Sequence, residues 1–309
     1  MGILYHYILF IFSFFIPWIY IQSSLEIKEK LLIIGCGKLG QKVGNVLSKK
    51  FEITGIKRKK SNNDVCFHIL ELDIFNKEFT KKIKFINPDY IIYAVAADKQ
   101  TGNSYQDAYV NGLRLSVDAA LTCKKIKHFF FISSSRVYGQ KTNDSISELT
   151  KPLPNDFGGK ALLEGERLLE SAPLSSTTLR LSGIYGNTRS YMLKLAKNPE
   201  EWPDSNRWTN RIHEDDITDF ISYLLDRTNE MPLEPLYLLT DNAPTPIYDV
   251  LNWIRDELNL PKHKKISREK IGGKKLISKI IPGLSFHFKY SDYRIGYTSI
   301  VNYNKLISS

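Results

Sequence analysis

The fold can be predicted from one stretch near the start of the chain, Leu31-Leu32-Ile33-Ile34-Gly35-Cys36-Gly37-Lys38-Leu39-Gly40. It places a G-x-G-x-x-G pattern directly after a short apolar run and before an amphipathic stretch of helical length. In a strand–turn–helix unit the first glycine permits a tight turn, the second lets a diphosphate approach the backbone, and the third lets helix and strand pack closely. The helix N-terminus adds free N–H groups. We therefore interpret residues 35–40 as a dinucleotide-binding turn, an ordinary glycine-rich turn being the alternative. Its predicted contacts are Gly35, Gly37, Lys38, Leu39 and Gly40.

Downstream of this turn, short apolar runs alternate with amphipathic stretches. Strands are predicted at residues 30–35, 52–57, 67–70, 90–95, 128–133 and 177–181. Helices are predicted at residues 38–49, 76–83, 104–123 and 159–171. This alternation is typical of an α/β, Rossmann-type, doubly wound parallel sheet that helices cover on both faces.

The regular alternation ends near residue 186 and divides the chain. Residues 30–186 are predicted to form an NAD(P)-binding domain. Residues 187–309 are predicted to form a smaller substrate lobe with a basic C-terminal segment, interleaved with the sheet through a strand at 236–240. Such a lobe would close over the carboxyl edge of the sheet, where open α/β sheets bind ligands.

An apolar N-terminal segment, residues 1–25, precedes this pattern. Residues 3–21 carry no charged side chain and are about as long as a membrane-spanning helix. Because the first basic residues follow the segment, an anchor would leave the body of the protein in the cytoplasm. An extension that packs on the protein or stays loose is the alternative. Three cysteines also indicate a reducing compartment, so we expect a cytoplasmic protein, either free or tethered to a membrane.

The chain has a formal net charge of +10, from 43 Lys and Arg against 33 Asp and Glu. This charge permits binding to phosphates, to nucleic acid or to an anionic membrane. The lysines are scattered with few aromatic residues among them, which is typical of solvated faces, so nucleic-acid binding is not favoured. No Cys/His cluster has zinc spacing, so no metal site is predicted. The sequence does not decide whether the protein forms a homodimer.

The end of the second predicted strand indicates which dinucleotide is bound. An NAD enzyme places an acidic residue there for the ribose hydroxyls, whereas this chain has Arg58 in a basic run. A guanidinium can form paired hydrogen bonds with a 2′-phosphate. The sequence therefore favours NADP over NAD, which stays an alternative, and Ala94 is expected beside the same cofactor. A solvated basic loop is the other interpretation of Arg58.

Further motifs follow the glycine turn in a fixed order. They are Leu72-Asp73-Ile74, Tyr109-Val110-Asn111-Gly112, Ser133-Ser134-Ser135-Arg136-Val137-Tyr138-Gly139, Leu179-Arg180-Leu181-Ser182-Gly183-Ile184-Tyr185-Gly186 and Arg211-Ile212-His213-Glu214-Asp215-Asp216. In this combination the chain resembles the extended short-chain dehydrogenase/reductase family of the NAD-dependent epimerase/dehydratase type. The ending at residues 288–297 is similar to that of the family's atypical branch.

The resemblance implies roles for three polar residues. It places Asp73 beside the adenine, Asn111 on the helix that supports the active site, and Ser134 where a hydroxyl bonds the substrate carbonyl or alcohol. Each has a structural alternative: Asp73 could start a helix, Asn111 could satisfy a backbone group, and Ser134 could cap a loop.

The chain departs from the family at the Tyr-x-x-x-Lys motif, in which the tyrosine exchanges a proton and the lysine lowers the tyrosine pKa. The same register reads Phe157-Gly158-Gly159-Lys160-Ala161. Lys160 lies one residue early, about 100° round a helix. Loss of this motif is similar to what the atypical branch shows. Tyr138 is the predicted substitute acid, with Tyr185 and Tyr191 as alternatives.

Arg211 and His213 precede a predicted helix with carboxylates in its first turn. Helix capping is the structural interpretation. The functional interpretation is that both side chains face the phosphate or polar groups of a substrate. Arg211 lies two residues from the position of the diphosphate-binding arginine in sugar-nucleotide epimerases.

Two functions compete on this evidence. The first is an NADP-dependent oxidoreductase or epimerase/dehydratase-like enzyme that acts on a small molecule, either a sugar nucleotide or a small carbonyl compound. The second is an NAD(P)-binding sensor or scaffold protein, since the cofactor site is present while the family's acid–base pair is missing.

Overall fold

A seven-stranded parallel sheet is the central layer of the computed structural model, which describes residues 28–59, 65–140, 144–189, 191–263 and 272–308. Within these residues the sheet order is β11-β7-β5-β4-β1-β2-β3, and every neighbouring pair is parallel. Its strands are β1 (Lys30–Ile34), β2 (Glu52–Lys57), β3 (His68–Glu71), β4 (Tyr90–Tyr93), β5 (His128–Ser134), β7 (Ser176–Leu181) and β11 (Leu236–Leu239). The predicted Rossmann-type fold is confirmed.

The central strands are apolar along their whole length because helices cover both of their faces. Strand β4 reads YIIY with all four residues buried, and residues 31–34 of β1 are at most 1% exposed. Continuous apolar runs of this kind are typical of strands inside a parallel sheet.

Helices cover the sheet in two layers. The helices are α1 (Lys38–Leu47), α2 (Phe79–Ile86), α3 (Gly102–Gln106), α4 (Gly112–Leu121), α5 (Phe157–Glu170), α6 (Tyr191–Lys197), α7 (Glu214–Arg227), α8 (Ile247–Glu257) and α9 (Tyr293–Ser308). Helices α2, α4 and α5 contribute to the apolar cluster on one face, and α1 and α7 to the cluster on the other.

Several helix boundaries differ from the prediction; α2, for example, spans Phe79–Ile86 where a helix at 76–83 was predicted. The stretch predicted as one helix is divided into α3 and α4 by a π-helical turn, Asp107–Asn111. Helix α5 begins at Phe157, two residues earlier than predicted, because Asp156 caps it: its Oδ1 accepts the N–H of Gly159 at 2.7 Å.

The C-terminal part of the chain builds a third apolar cluster from α6, α8 and α9, with Trp202 and Tyr297 among its buried residues. Short strands accompany it: β6 (Ser145–Ile146) with β14 (Lys275–Leu276), β8 (Gly183–Tyr185) with β10 (Arg211–His213), and β9 (Arg207–Thr209) with β12 (Thr245–Pro246) and β13 (Gly272–Gly273). Strand β11, from the same part of the chain, pairs with β7 at the edge of the main sheet.

A search of the described ranges reveals no helix that is both long and apolar enough to cross a membrane. The apolar segment at 3–21 lies outside these ranges. An anchor in that segment therefore stays a prediction.

Candidate active site

A cleft runs along the carboxyl ends of the sheet strands and consists of two adjoining cavities. The outer cavity, of about 560 Å³, is lined by Arg58, Asp73 and Asp98 among others. The inner cavity, of about 380 Å³, is lined by Ser134 and Arg189 among others. Both are lined by residues 35, 37 and 94–96. Because β1 lies between β2 and β4, this cleft is at the point where the strand order reverses, the usual ligand site of such sheets.

The glycine turn forms the floor where the two cavities meet. Gly35 has φ +84°, and a Cβ there would lie 2.5 Å from the backbone nitrogen of Val95. At Gly40 a Cβ would lie 3.0 Å from the Ile33 side chain, so this glycine lets α1 pack closely on β1. At Gly37 the nearest atom to a Cβ is 4.0 Å away, since the backbone there faces the cleft. The turn thus leaves open space at the N-terminus of α1, which suits a diphosphate.

Lys38 and Leu39 line the inner cavity beside this turn, and Arg189 lines it as well. The Lys38 ammonium donates to the carbonyl oxygen of Thr188 at 3.4 Å. Among the residues that the structure describes, the Arg189 Nε is buried without a hydrogen-bond partner; it forms a long ion pair with Glu214, 3.8 Å from a carboxylate oxygen. Arg189 is therefore a phosphate-binding candidate that the sequence analysis missed, and its only signal was its position three residues after Gly186.

The outer cavity holds the residues predicted to contact an adenosine. Asp73 lines it, and its Oδ1 accepts the N–H of Phe75 at 2.8 Å, so this carboxylate also shapes the turn after β3. Ala94 lies at the junction of the cavities. Arg58 is at the rim, where its guanidinium donates two hydrogen bonds to Asp98, at 2.6 and 2.5 Å. The Arg58 guanidinium lowers the pKa of Asp98, and Asp98 raises the pKa of Arg58.

Ser134 is the last residue of β5 and lines the inner cavity. Its Oγ accepts the N–H of Arg136 at 3.2 Å, so the hydroxyl proton is free to point toward a ligand. The preceding hydroxyl, that of Ser133, donates to Glu166 at 2.6 Å. Glu166 is in turn ion-paired with Arg180 at 2.6 Å, and both side chains are less than 10% exposed. This buried network holds the end of β5 in place.

The structure does not bring Tyr138 into the cleft, contrary to the sequence-based prediction of a substitute acid. Its ring is 1% exposed, and its hydroxyl donates to the carbonyl of Ser147 at 2.9 Å and accepts from Arg180 at 2.6 Å. Burial raises the pKa of Tyr138. It is a packing residue of the buried network.

Asn111 is also away from the cleft, so the prediction for it needs correction. It is exposed on the outside of the π-helical turn, and its amide donates to Asp107 at 3.0 Å. Tyr109, two residues earlier in the same turn, lines the inner cavity instead. The π-helical turn determines which of these side chains faces inward, and the sequence pattern did not reveal it.

Arg211 and His213 are buried too, and neither lines the two cavities. The Arg211 guanidinium lies 4.9 Å from the centre of the Tyr293 ring and donates to Thr209. The Nδ1 of His213 accepts the N–H of Asp215 at 3.1 Å, and burial lowers the pKa of His213 to about 4. The capping interpretation is therefore correct for His213, and the predicted substrate contacts are not supported.

An arginine side chain fills the space beside Phe157, the residue at the position of the family motif's tyrosine. A Cβ on Gly158 would lie 2.5 Å from the Arg136 Cζ, so the glycine makes room for this guanidinium. Arg136 stacks 5.3 Å from the Phe157 ring and bonds to Asp156 at 3.0 Å. It also donates to the Tyr105 hydroxyl at 2.6 Å. A tyrosine–arginine pair thus lies next to the position of the missing tyrosine.

Lys274 reaches the same region from the far end of the chain. Its ammonium donates to the carbonyl oxygen of Ser135 at 2.7 Å and also to that of Tyr138. Burial lowers the pKa of Lys274 to about 8. Sequence patterns give no signal for this contact because 139 positions separate Lys274 from Ser135.

The reversed strand order, the open glycine turn and the continuous cleft define a Rossmann-type α/β protein whose cleft suits a dinucleotide. The model of the NAD dependent epimerase/dehydratase family matches residues 31–237. The chain belongs to this family. No curated protein sequence matches it significantly.

Solved structures resemble the chain over most of its length. A protein from Methylobacillus flagellatus, assigned to the NAD-dependent epimerases/dehydratases, is 36% identical with a TM-score of 0.82, over 90% of this chain and 99% of the other. The UDP-glucose 4-epimerase of Thermotoga maritima, solved with UDP-glucose, is 17% identical with a TM-score of 0.76, over 91% and 100%. The UDP-glucuronic acid 4-epimerase of Bacillus cereus, solved with NAD, is 18% identical with a TM-score of 0.67, over 91% and 100%. At these lower identities the last two show the fold alone.

Proposed function

We propose that the chain is an oxidoreductase or epimerase-like enzyme that holds a nicotinamide dinucleotide along the cleft and acts on a carbonyl or alcohol carbon beside Ser134. The observation that supports this proposal best is the continuity of the cleft. The outer cavity, which Asp73 lines, continues past the open backbone at Gly37 into the inner cavity, which Ser134 lines, along the carboxyl edge of the sheet.

The residues present fit such a cofactor. The outer cavity suits the adenosine, with Asp73 and Arg58 at its wall, and the backbone N–H groups at the start of α1 suit the diphosphate. Ala94 and Tyr109 line the path toward the inner cavity. When bound, a nicotinamide cofactor supplies a site that accepts or donates hydride.

The protein's own groups orient the substrate and move its proton. The Ser134 hydroxyl donates to the substrate oxygen. The Tyr105 hydroxyl accepts from the Arg136 guanidinium and donates to Gln100, and its ring packs edge-on against Phe157 at 5.3 Å. It is buried beside the cleft and lines neither cavity. We propose it as the group that exchanges the proton in place of the missing family tyrosine.

The substrate class we propose is a nucleotide sugar or a small carbonyl compound. Similar solved structures contain nucleotide sugars, among them UDP-glucose and UDP-glucuronic acid. Arg189 lines the inner cavity, and its Nε has no hydrogen-bond partner among the described residues, so it suits a substrate diphosphate. It takes the place of the predicted Arg211 and His213.

The cofactor we propose is NADP, with NAD as the second choice. Arg58, just after β2, is the group that supports NADP, and its exposed pair with Asp98 is weak enough for a 2′-phosphate to replace, because exposed ion pairs contribute little.

A sensor without hydride chemistry is the second candidate. The observation that favours it is the Arg136 side chain, which fills space beside the family tyrosine position and is held there by Asp156. In that case Tyr105 would serve packing alone.

Titration of the purified protein with NADPH and NADH, followed by turnover with aldehydes, ketones and nucleotide sugars, tests the proposal. We expect both dinucleotides to bind, NADPH more tightly, and a carbonyl or nucleotide-sugar substrate to react. Ser134→Ala and Tyr105→Phe should each lower turnover roughly 100-fold while dinucleotide affinity stays within twofold. Binding without turnover on any substrate favours the sensor, and absence of binding to either dinucleotide contradicts both.

A further inference from the structure

We infer that Asp98 is a residue that determines cofactor specificity, because it holds the Arg58 guanidinium and so limits how strongly the site prefers NADP. The inference rests on the proposed function. It concerns the outer cavity, which both side chains line.

The two residues reach each other across the width of the cleft. Arg58 follows β2 and Asp98 follows β4, and these strands lie on opposite sides of β1. Strands two positions apart in a sheet are roughly 9.5 Å from each other. The pair therefore crosses the mouth of the outer cavity, where the adenosine ribose of a bound dinucleotide is expected.

The geometry uses both outer nitrogens of the arginine. Nη1 donates to one carboxylate oxygen at 2.6 Å and Nη2 to the other at 2.5 Å. A 2′-phosphate would need the same two donors, since planar forks bind carboxylate and phosphate alike. Carboxylate and phosphate thus compete for one guanidinium, and NAD, which has only hydroxyls there, does not enter this competition.

Charged groups of both signs line the same cavity. Asp73 lies close enough to Arg58 to raise its pKa through charge, and Lys57 and Lys99 line the cavity as well. A lysine cannot supply the paired donors of a guanidinium. Removing the carboxylate charge of Asp98 therefore acts by freeing the paired donors of Arg58.

The test is a set of four proteins, the unsubstituted chain, Asp98→Asn, Arg58→Ala and the double variant, titrated with NADP and NAD. Both side chains are more than half exposed, so none of these substitutions threatens the fold. We expect Asp98→Asn to tighten NADP binding about tenfold, the size expected when the guanidinium becomes free to form one more charge-assisted hydrogen bond with the phosphate. NAD affinity should stay within twofold. Asp118→Asn, an exposed carboxylate on α4 that lines neither cavity, controls for net charge and should change neither affinity.

The double variant separates this inference from simple repulsion. If Asp98 acts through Arg58, Asp98→Asn should change the NADP-to-NAD ratio less than twofold once Arg58 is alanine. Two results overturn the inference: Asp98→Asn tightens NADP binding tenfold even when Arg58 is alanine, or it does not tighten NADP binding when Arg58 is present. In either case both dinucleotides still bind, so the proposed function stands. If the unsubstituted chain binds neither dinucleotide, the proposed function fails and the inference fails with it.

Discussion

Asp241 combines nearly complete burial with an unpartnered oxygen. It is 4% exposed, its Oδ1 accepts the N–H of Ala243 at 3.1 Å, and its Oδ2 has no hydrogen-bond partner among the described residues. Burial raises the pKa of Asp241 to about 7, against the opposing effect of the Arg211 charge. In the unfolded chain the same carboxyl group has a pKa near 3.9. The folded protein therefore binds more protons than the unfolded chain between these two pH values.

This difference predicts how stability depends on pH. Because the folded pKa is the higher one, Asp241 favours folding below pH 4 relative to higher pH, and this contribution is lost as pH rises toward 7. Asp241→Asn removes the effect. The quantity to measure is the unfolding free energy of the variant minus that of the unsubstituted protein, from urea unfolding. We expect this difference to increase by at least about 1 kcal/mol from pH 5 to pH 8. The exposed control Asp118→Asn should give a flat difference, and a flat difference for Asp241→Asn would mean that its carboxylate is ionised throughout.

The contact between helix α5 and the π-helical turn depends on one glycine. A Cβ at Gly165 would lie 2.2 Å from the backbone oxygen of Tyr109, a group that a side-chain rotation cannot move. The helix can approach the turn this closely only without a side chain there. The contact fixes the backbone of Tyr109, which lines the inner cavity.

Gly165→Ala should therefore push the helix away from the turn. Intrinsic helix propensity favours alanine by about 1 kcal/mol, so a net loss of stability reports the clash. We expect a loss of about 1–3 kcal/mol in chemical denaturation, together with weaker dinucleotide binding. Gly102→Ala, in α3 with no atom within 4 Å of the added Cβ, is the matched control and should not destabilise the protein. Equal stability of both variants would contradict the packing argument.

The cleft joins parts of the molecule that belong to different apolar clusters. Residues at or just after the carboxyl ends of β1, β4, β5 and β7 all line it, and these strands are packed between the two clusters that cover the faces of the sheet. A ligand in the cleft therefore binds only the folded chain. Binding should stabilise the whole fold by mass action.

We expect thermal unfolding to shift upward when a nicotinamide dinucleotide is added. At 100 times the dissociation constant the gain in unfolding free energy is about 2.7 kcal/mol. Gly37→Val is the informative variant, because its side chain enters open cleft space and not packed protein. It should fold with nearly the same midpoint in the absence of ligand and lose the shift. A full shift in Gly37→Val would place the ligand elsewhere.

Local sequence patterns were sufficient to predict the main sheet, the glycine turn and the position of Ser134 at the end of a strand. Apolar periodicity and glycine spacing depend on residues that are close in sequence, so they can be read without a structure. The same patterns named Tyr138, Asn111, Arg211 and His213, and there they failed. Burial, the π-helical turn and helix capping decide where those side chains point, and none of these is visible in the motif.

The sequence by itself determined that this chain folds as a parallel α/β sheet with a dinucleotide-type turn, because both follow from local hydrophobicity and backbone freedom. Only the tertiary structure decided which side chains meet around the cleft. Arg136 meets Tyr105, Arg58 meets Asp98 and Lys274 meets Ser135 across 31, 40 and 139 positions of the chain. Such pairs form only when strand ends from distant parts of the sequence converge on one edge of the sheet.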